Sequence, residues 1–223
     1  MNPYESLPQK AFWKPAVANR SMFDIDEIWD PKFKIKQSDK IVTYGSCFAQ
    51  HIGRALESRG FQWHKPEVAP MGMGAVNAKK FNYGIFSTRT GNIYTTSLLR
   101  QWAEWALKDV SPPDEVWGKD GRYIDPFRPR VEPTGFASVE ELTKSRAATI
   151  NAFKAGVKDA SFFVFTLGLT ESWFNGTDGY EYPMCPGTVA GEFDENVHQF
   201  KNQQFNDVIT NLVEAIELMR SVN

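Results

Sequence analysis

Apolar side chains cluster in a few short segments of the chain, and their spacing predicts a first structural unit. The run Ile41-Val42-Thr43-Tyr44 is apolar and β-branched, which is typical of a buried strand. Between Phe48 and Leu56 the apolar residues recur at helical spacing, and Gly60 stands where a glycine commonly ends a helix. The pattern therefore predicts a strand, a tight turn at Gly45-Ser46 and a helix.

Further elements follow at intervals along the chain. Helical spacing recurs over residues 98–106, and Ser138 with Glu141 three residues later has the form of a capping box that begins another helix. Residues 161–169 form the most continuous apolar segment, which predicts a strand buried on both faces. Apolar residues over 205–219 line one face of a final helix.

The order of these elements indicates the class of fold. A strand is followed by helices, a second strand and a last helix, which favours an α/β fold with a parallel sheet and large inserted loops. Turn residues at 175–179 between two aromatic segments predict a hairpin. The Gly- and Pro-rich segments 61–94 and 109–135 are interpreted as long loops.

The ends of the chain differ from this pattern. Residues 1–38 are rich in Pro, Lys and Trp and show little periodicity, so we expect an irregular N-terminal arm, with the domain over residues 39–223. A parallel α/β fold normally returns from a helix into another strand, whereas the last predicted helix runs almost to Asn223. We therefore expect the domain to be incomplete at its C-terminus.

Composition narrows the function classes. A net charge of -2 over 223 residues gives no reason to expect a nucleic-acid partner, because phosphate binding depends on clustered Lys and Arg. No segment resembles a signal peptide or a membrane span, and two cysteines make no disulfide framework, so we expect a cytoplasmic protein. No cofactor motif and no metal-ligand spacing are present, and the pattern leaves the oligomeric state open.

Ser46 is the strongest candidate for chemistry. It follows the first predicted strand and precedes a helix, and ligands of open α/β sheets bind at the carboxyl ends of strands. The backbone N–H groups of Ser46 and Cys47, together with the helix N-terminus, would stabilise a developing oxyanion there. The alternative is structural, because serine is a favoured N-cap and a preceding glycine eases the turn.

Other nucleophiles and bases are less well supported by the sequence. Cys47 at a helix N-terminus would be a reactive thiolate, but a small buried side chain is the interpretation that we favour. His51 is turned about 140° around the helix axis from Ser46, away from the turn. His64 and His198 are predicted to lie in loops, where nothing in their spacing directs them to Ser46.

The segment from Gly168 to Trp173 follows the second strand and should lie at the same edge of the sheet as Ser46. Thr170 could donate a hydrogen bond to an oxyanion, and Glu171 could orient a partner, although a capped strand end would look the same. Five carboxylates cluster in a predicted loop and are interpreted as a solvated surface: Asp178, Glu181, Glu192, Asp194 and Glu195.

Several motifs taken together resemble one family. Gly45-Ser46-Cys47-Phe48-Ala49 spells the name of the GSCFA family. Further similar segments lie in the same order along the chain: Gln50 to Gly53, Tyr83-Gly84, Gly91 to Thr95, Asp125 to Pro129, Thr166 to Glu171 and Cys185 to Gly187. That family is similar to the SGNH (GDSL-type) hydrolases, which have a flavodoxin-like three-layer α/β/α fold and cleave or transfer ester-linked acyl groups.

The resemblance implies roles for individual residues. Ser46 would be the nucleophile, the N–H groups of Ser46 and Gly91 would bind the oxyanion together with Thr170, and Asn92 and Glu171 would support the site. Thr170 stands where typical SGNH members carry Asn, which implies a weaker or differently built oxyanion hole. The histidine block of SGNH enzymes would lie beyond residue 223.

Two functions therefore follow from the sequence. The first is a serine hydrolase or acyltransferase that acts on a small-molecule or carbohydrate ester. The second is a non-catalytic domain that keeps the pocket and binds a glycan or similar ligand without a complete triad. A nucleophilic Cys47 is a third interpretation.

Overall fold

The computed structural model describes residues 2–26, 28–108 and 110–223. The chain divides into two compact units, residues 1–36 and residues 37–223. In the second unit the elements follow in the order β1 (Ile41–Tyr44), α1 (Cys47–Ser58), α2 (Ala75–Lys80), α3 (Thr96–Leu107), β2 (Trp117–Lys119), β3 (Arg122–Ile124), α4 (Val139–Asp159), β4 (Phe162–Phe165), β5 (Glu171–Asn175), β6 (Glu181–Tyr182), β7 (His198–Asn202) and α5 (Phe205–Arg220).

The first unit contains little regular structure among its described residues. A 3₁₀ turn spans Gln9–Ala11, a π-helix spans Lys14–Ala18, and turns and bends make up much of the remainder. Its large aromatic side chains are mainly exposed, among them Trp13, Phe23 and Trp29. A segment rich in Pro and Lys with few periodic apolar positions has little from which to build a core.

The two strands predicted from the strongest apolar runs pair in parallel. β1 and β4 are in register from Ile41 opposite Phe162 to Tyr44 opposite Phe165. After α1 the chain returns beside β1, where Trp63 forms a parallel bridge with Ile41. The predicted strand, turn and helix are confirmed, and the unit is a mixed α/β structure with a small parallel sheet.

The prediction that residues 161–169 are buried on both faces is wrong. β4 is confined to Phe162–Phe165, and all four of its residues are half-buried. Among the described strands β4 pairs with β1 alone, and an apolar groove lined by Phe163, Phe165 and residues of α5 stays open beside it. The side chains of Leu167 and Leu169 beyond the strand are exposed.

The main core lies between the parallel pair and three helices. α3 packs against α4 and α5, and it contributes the fully buried Leu98, Leu99 and Trp102. The ring centroids of Tyr44 on β1 and Phe153 on α4 lie 4.7 Å apart. These contacts join the sheet to the helices through aromatic packing.

The predicted capping box at the start of α4 is half realised. The Ser138 Oγ accepts the Glu141 N–H at 3.1 Å, as predicted for an N-cap. The Glu141 carboxylate accepts the backbone N–H of Ala137 at 2.8 Å, one residue before the N-cap.

Two segments interpreted as loops contain short elements. The six-residue helix α2 lies within residues 61–94, and the β2–β3 hairpin lies within residues 109–135. The hairpin turns at Asp120 and Gly121, which have φ values of 50° and 71°. Asp-Gly is the residue pair that this type of two-residue turn favours, so the hairpin had a sequence signal that was missed.

The predicted hairpin around residues 175–179 is confirmed as β5 and β6, and it belongs to a three-stranded antiparallel sheet. The third strand, β7, pairs with β5 from Asn202 opposite Glu171 to His198 opposite Asn175. The prediction of a loop at His198 is therefore wrong. β7 was missed because its His-Gln-Phe-Lys-Asn sequence lies mainly on the exposed surface and carries little apolar signal.

The final helix is confirmed, but its predicted apolar face is only partly covered. Ala215 is buried, whereas Ile209 and Val213 are partly exposed. α3 covers one side of α5, and the open groove beside β4 borders another. In the part of the chain that the structure describes, no helix has the length and apolar character needed to cross a membrane.

Candidate functional site

Ser46 lies in a sharp turn between the end of β1 and the start of α1. Gly45 has a φ of 136°, and a Cβ added there would lie 2.0 Å from Thr166 Oγ1 and 3.0 Å from the Thr166 backbone N and O. Glycine is therefore required both for the backbone conformation and for the close approach of the chain beyond β4. Ser46 itself is the N-cap of α1, and its Oγ accepts the Phe48 N–H at 3.3 Å.

The two backbone N–H groups of this turn are used differently. The Ser46 N–H donates to Thr166 Oγ1 at 3.2 Å. The Cys47 N–H has no hydrogen-bond partner among the described residues. The Cys47 side chain is exposed, so the interpretation of Cys47 as a small buried residue is wrong. Cys47 is the first residue of α1, and its side chain projects from the helix into solvent.

A second segment meets the turn from the side. The Ile93 N–H donates to the Gly45 carbonyl at 2.8 Å. Because Gly91 and Asn92 directly precede Ile93 in the chain, this hydrogen bond holds them near Ser46 in space. Gly91 has a φ of 71°, and its N–H has no partner among the described residues. Asn92 Nδ2 donates to the Tyr94 hydroxyl at 2.8 Å, whereas its Oδ1 is shielded from solvent without a partner in the described part of the chain.

A third segment follows β4 at the same edge. The Leu169 N–H donates to the Tyr94 carbonyl at 2.9 Å, so the second and third segments are hydrogen-bonded to each other. The Thr170 hydroxyl donates to Asn202 Oδ1 at 2.7 Å. Glu171 begins β5 and is exposed. The structure thus brings Ser46, Gly91 and the 166–171 segment to one edge of the parallel sheet.

None of the three histidines, all of which are described, hydrogen-bonds to Ser46 Oγ. His51 is exposed on α1 and lies 3.2 Å from the Arg54 guanidinium. His64 Nε2 lies 3.6 Å from Asp159, and burial lowers the pKa of His64, with the Lys40 charge adding to this effect and Asp159 opposing it. His198 Nδ1 accepts the Asp194 N–H at 3.0 Å.

A pocket of about 530 Å³ opens beside this edge. Gln50, Gly91, Asn92, Leu169 and Glu171 are among its lining residues, and Ser46 is not. Gln50 lies one helical turn after Ser46 on α1. The inner wall of the pocket is formed by apolar and aromatic side chains: Phe86, Leu98, Phe127, Val131, Trp173 and Tyr182. Such a pocket is of the size that small-molecule ligands occupy.

Glu181 is a functional candidate that the sequence interpretation missed. It was assigned to a solvated carboxylate cluster, but it lies on β6, is 2% exposed and lines the pocket. Its carboxylate accepts hydrogen bonds from the hydroxyls of Thr95 and Ser97 at the start of α3. Burial raises the pKa of Glu181 to about 7, although these hydroxyls oppose the shift. A strand of two residues is too short to show a burial pattern in the sequence, so no local signal could have identified Glu181.

A second buried cluster supports the pocket from behind. Asp125 receives hydrogen bonds from Arg128 at 2.7 Å and from Arg146 at 3.0 Å, and all three side chains are buried. Burial alone would raise the pKa of Asp125, but the two guanidinium groups outweigh it and hold the pKa below its usual value. The Asp125-to-Pro129 motif therefore contributes Asp125 and Arg128 to a structural ion-pair network, and its Phe127 lines the pocket.

Among the described residues, no group of three His, Cys, Asp or Glu side chains is arranged to hold a metal ion. A comparison with protein families matches the GSCFA family model over residues 40–223. Neither curated proteins nor solved structures give a significant match. The matched region covers most of the chain and contains all three segments that meet at Ser46, so the chain belongs to the GSCFA family.

Proposed function

We propose that this protein is a serine hydrolase or acyltransferase in which Ser46 attacks an ester-linked acyl group. One observation carries the proposal: three separated segments are hydrogen-bonded together around Ser46 at the carboxyl end of a parallel pair. The Ile93 N–H binds the Gly45 carbonyl, and the Ser46 N–H binds Thr166 Oγ1. Active sites of open α/β sheets form at this position.

The chemical step follows from this arrangement. A base takes the Ser46 proton as the Ser46 oxygen adds to the ester carbonyl, and this proton passes to the leaving oxygen, which departs as the alcohol. Water or a sugar hydroxyl then attacks the acyl group on Ser46, and its proton returns through the base to the Ser46 oxygen. The Gly91 N–H has no partner among the described residues, so it is available to donate a hydrogen bond to the oxyanion. The Ser46 N–H and the Thr170 hydroxyl hydrogen are engaged with Thr166 and Asn202, so these hydrogen bonds must open as the oxyanion forms. Asn92 and Glu171, which line the pocket, would support the site.

A base must accept the Ser46 proton, and no described histidine is hydrogen-bonded to it. This observation favours a second candidate function, a domain that binds an ester or glycan in the pocket without turning it over. Loss of one triad member leaves only residual catalysis, so the two candidates differ by orders of magnitude in rate.

We further propose a setting for this reaction. The parallel pair and its helices would form part of a flavodoxin-like three-layer fold over residues 39–223, with residues 1–38 as an arm. The substrate would be a small-molecule or carbohydrate ester. Both cysteines are unpaired, which supports a reducing, cytoplasmic location.

Ester hydrolysis measured with single variants tests the proposal. We expect p-nitrophenyl esters to be hydrolysed by the protein, Ser46→Ala to lower kcat by at least about 10³-fold, and Cys47→Ala to retain activity. Equal rates for the protein and Ser46→Ala would refute a Ser46 nucleophile. Loss with Cys47→Ala and not with Ser46→Ala would assign the nucleophile to Cys47. Ligand binding without any turnover would support the binding domain instead.

A further inference from the structure

We propose that the pocket beside Ser46 takes the acyl chain of the ester, and that this chain is an alkyl group of medium length. The proposal rests on the proposed function, because it assigns the acyl side of the substrate to a place next to the Ser46 nucleophile. It predicts that acetyl esters are poor substrates and that chain length controls the rate.

The inner wall of the pocket is apolar, and its side chains pack against one another. Phe86, Leu98, Phe127 and Tyr182 line it, and each is at most 5% exposed. The rings of Phe127 and Tyr182 are stacked with 6° between their planes. A wall of this kind gains free energy when an alkyl chain displaces water from it.

The polar groups that border the inner wall are committed to other partners. The Arg128 guanidinium donates to Asp125 and Thr149, and the Glu181 carboxylate accepts from Thr95 and Ser97. Because the pKa of Glu181 is raised, this carboxyl is largely uncharged below about pH 7. A sugar placed here would lose its hydrogen bonds to water and find few replacements, which is unfavourable.

The side-chain N–H donors of two asparagines on the wall are also committed. Asn82 Nδ2 donates to the carbonyls of Arg130 and Val131 at 2.9 and 3.1 Å. Asn92 Nδ2 donates to the Tyr94 hydroxyl, and the Oδ1 of Asn92, which has no partner among the described residues, is shielded from solvent. Polar side chains that remain available belong to the rim, where Gln50, Arg130 and Glu171 are half-buried or exposed. The arrangement of an apolar interior behind a polar rim fits an ester, with the chain inside and the polar ends outside.

The rim connects the pocket to the nucleophile. Gln50 lies one helical turn after Ser46 on α1, and Gly91 lies two residues before Ile93, whose N–H binds the Gly45 carbonyl. An acyl carbonyl at Ser46 therefore has the pocket opening next to it. At about 530 Å³ the pocket has room for much more than an acetyl group.

The first test is a series of p-nitrophenyl esters from acetyl to dodecanoyl. We expect kcat/KM to rise about fourfold for each added methylene until the pocket is filled, and then to stay level or fall. Ile85→Trp and Met184→Trp each place a large side chain on the pocket wall from a different segment and should move this limit to shorter chains. Val213→Trp, on a partly exposed residue of α5 outside this pocket, is the matched control and should leave the limit unchanged.

The second test needs no turnover and separates this proposal from the proposed function. Binding of butanoate, hexanoate, octanoate and decanoate to the Ser46→Ala protein is measured by calorimetry, with circular dichroism to verify folding of every variant. Affinity should rise about fourfold per methylene and be weakened at least tenfold for decanoate by Ile85→Trp or Met184→Trp.

The outcomes are distinguishable. Chain-length-dependent binding without ester hydrolysis would support the acyl pocket and contradict the Ser46 nucleophile. Ser46-dependent hydrolysis with equal rates for acetyl and octanoyl esters, and no effect of either tryptophan, would overturn the acyl pocket alone. Binding of methyl 6-O-acetyl-glucopyranoside that is blocked by Ile85→Trp, with no alkanoate binding, would assign the pocket to the sugar and overturn the proposal.

Discussion

Replacement of Gly45 by alanine is the sharpest test of the turn that holds Ser46. The new Cβ would lie 2.0 Å from Thr166 Oγ1 and 3.0 Å from the Thr166 backbone, and the residue has a φ of 136°. A strained backbone of this kind costs about 1–3 kcal/mol, and overpacking costs about 1–3 kcal/mol more. We expect Gly45→Ala to lower the free energy of unfolding by about 4 kcal/mol, a large part of the stability of a typical domain.

Gly91→Ala is the matched control. Gly91 also has a positive φ, 71°, but apart from Gly91 itself and its two chain neighbours no described residue has an atom within 4 Å of the place that its new Cβ would take, so only the backbone cost of about 1–2 kcal/mol applies. Urea unfolding followed by circular dichroism measures both variants. With an m value of about 2 kcal/mol/M, the midpoint should fall by about 2 M for Gly45→Ala and by less than about 1 M for Gly91→Ala.

A double variant identifies the source of the loss. Thr166→Ala removes the oxygen that lies 2.0 Å from the added Cβ, so Gly45→Ala with Thr166→Ala should be more stable than the sum of the single effects predicts. The backbone contacts at 3.0 Å remain and prevent complete recovery. Equal destabilisation by Gly45→Ala and Gly91→Ala, or strictly additive effects in the double variant, would refute the close approach of Thr166.

Three further predictions concern buried groups and a helix cap. Since burial raises the pKa of Glu181 from 4.5 to about 7, the folded state binds that proton more tightly than the unfolded chain, and stability falls as pH rises between these values. Glu181→Gln should therefore gain about 2–3 kcal/mol over the wild type between pH 5 and pH 8 in urea unfolding, and a pH-independent difference would contradict this. Asp125→Asn leaves two buried guanidinium groups without their carboxylate and should cost about 3–5 kcal/mol; a loss below about 1 kcal/mol would exclude the ion-pair network. Ser138→Ala removes the N-cap of α4 and should cost about 1 kcal/mol, measurable as a lower thermal midpoint, whereas no shift would show that the cap contributes nothing.

The sequence predicted the elements whose side chains have a clear period. β1, the turn and α1 follow from a β-branched run succeeded by helical spacing, and the structure has the two elements at Ile41–Tyr44 and Cys47–Ser58. Short elements were missed, because α2 has six residues and the strands of the β2–β3 hairpin have three each. At that length a period cannot be distinguished from chance, and only the Asp120-Gly121 turn carried a usable signal.

Burial was harder to predict than the elements themselves. β4 has the apolar sequence of a strand covered on both faces, yet its four residues are half-buried, and Phe163 and Phe165 border an open groove. Glu181 was interpreted as solvated because it lies in a carboxylate-rich segment, whereas packing against the start of α3 buries it. Both errors arise from long-range contacts that a local pattern does not contain.

The candidate site was predicted in part. The position of Ser46 between a parallel strand and a helix follows from the local sequence, and so does its role as an N-cap. The hydrogen bond from the Ser46 N–H to Thr166 Oγ1 joins residues 120 positions apart in the sequence, and no spacing indicates it. The roles of Ser46, Gly91 and Thr170 in catalysis remain predictions.

Labelling with a fluorophosphonate probe shows whether Ser46 is a nucleophile without the need for a known substrate. The protein, Ser46→Ala, Cys47→Ala and Ser58→Ala are treated with the probe, and the adduct is located by peptide mass spectrometry. We predict an adduct on Ser46 that is absent from Ser46→Ala and retained in Cys47→Ala and Ser58→Ala, a serine at the far end of the same helix. Equal labelling of Ser46→Ala, or no adduct on Ser46 in the unmodified protein, would contradict a nucleophilic Ser46.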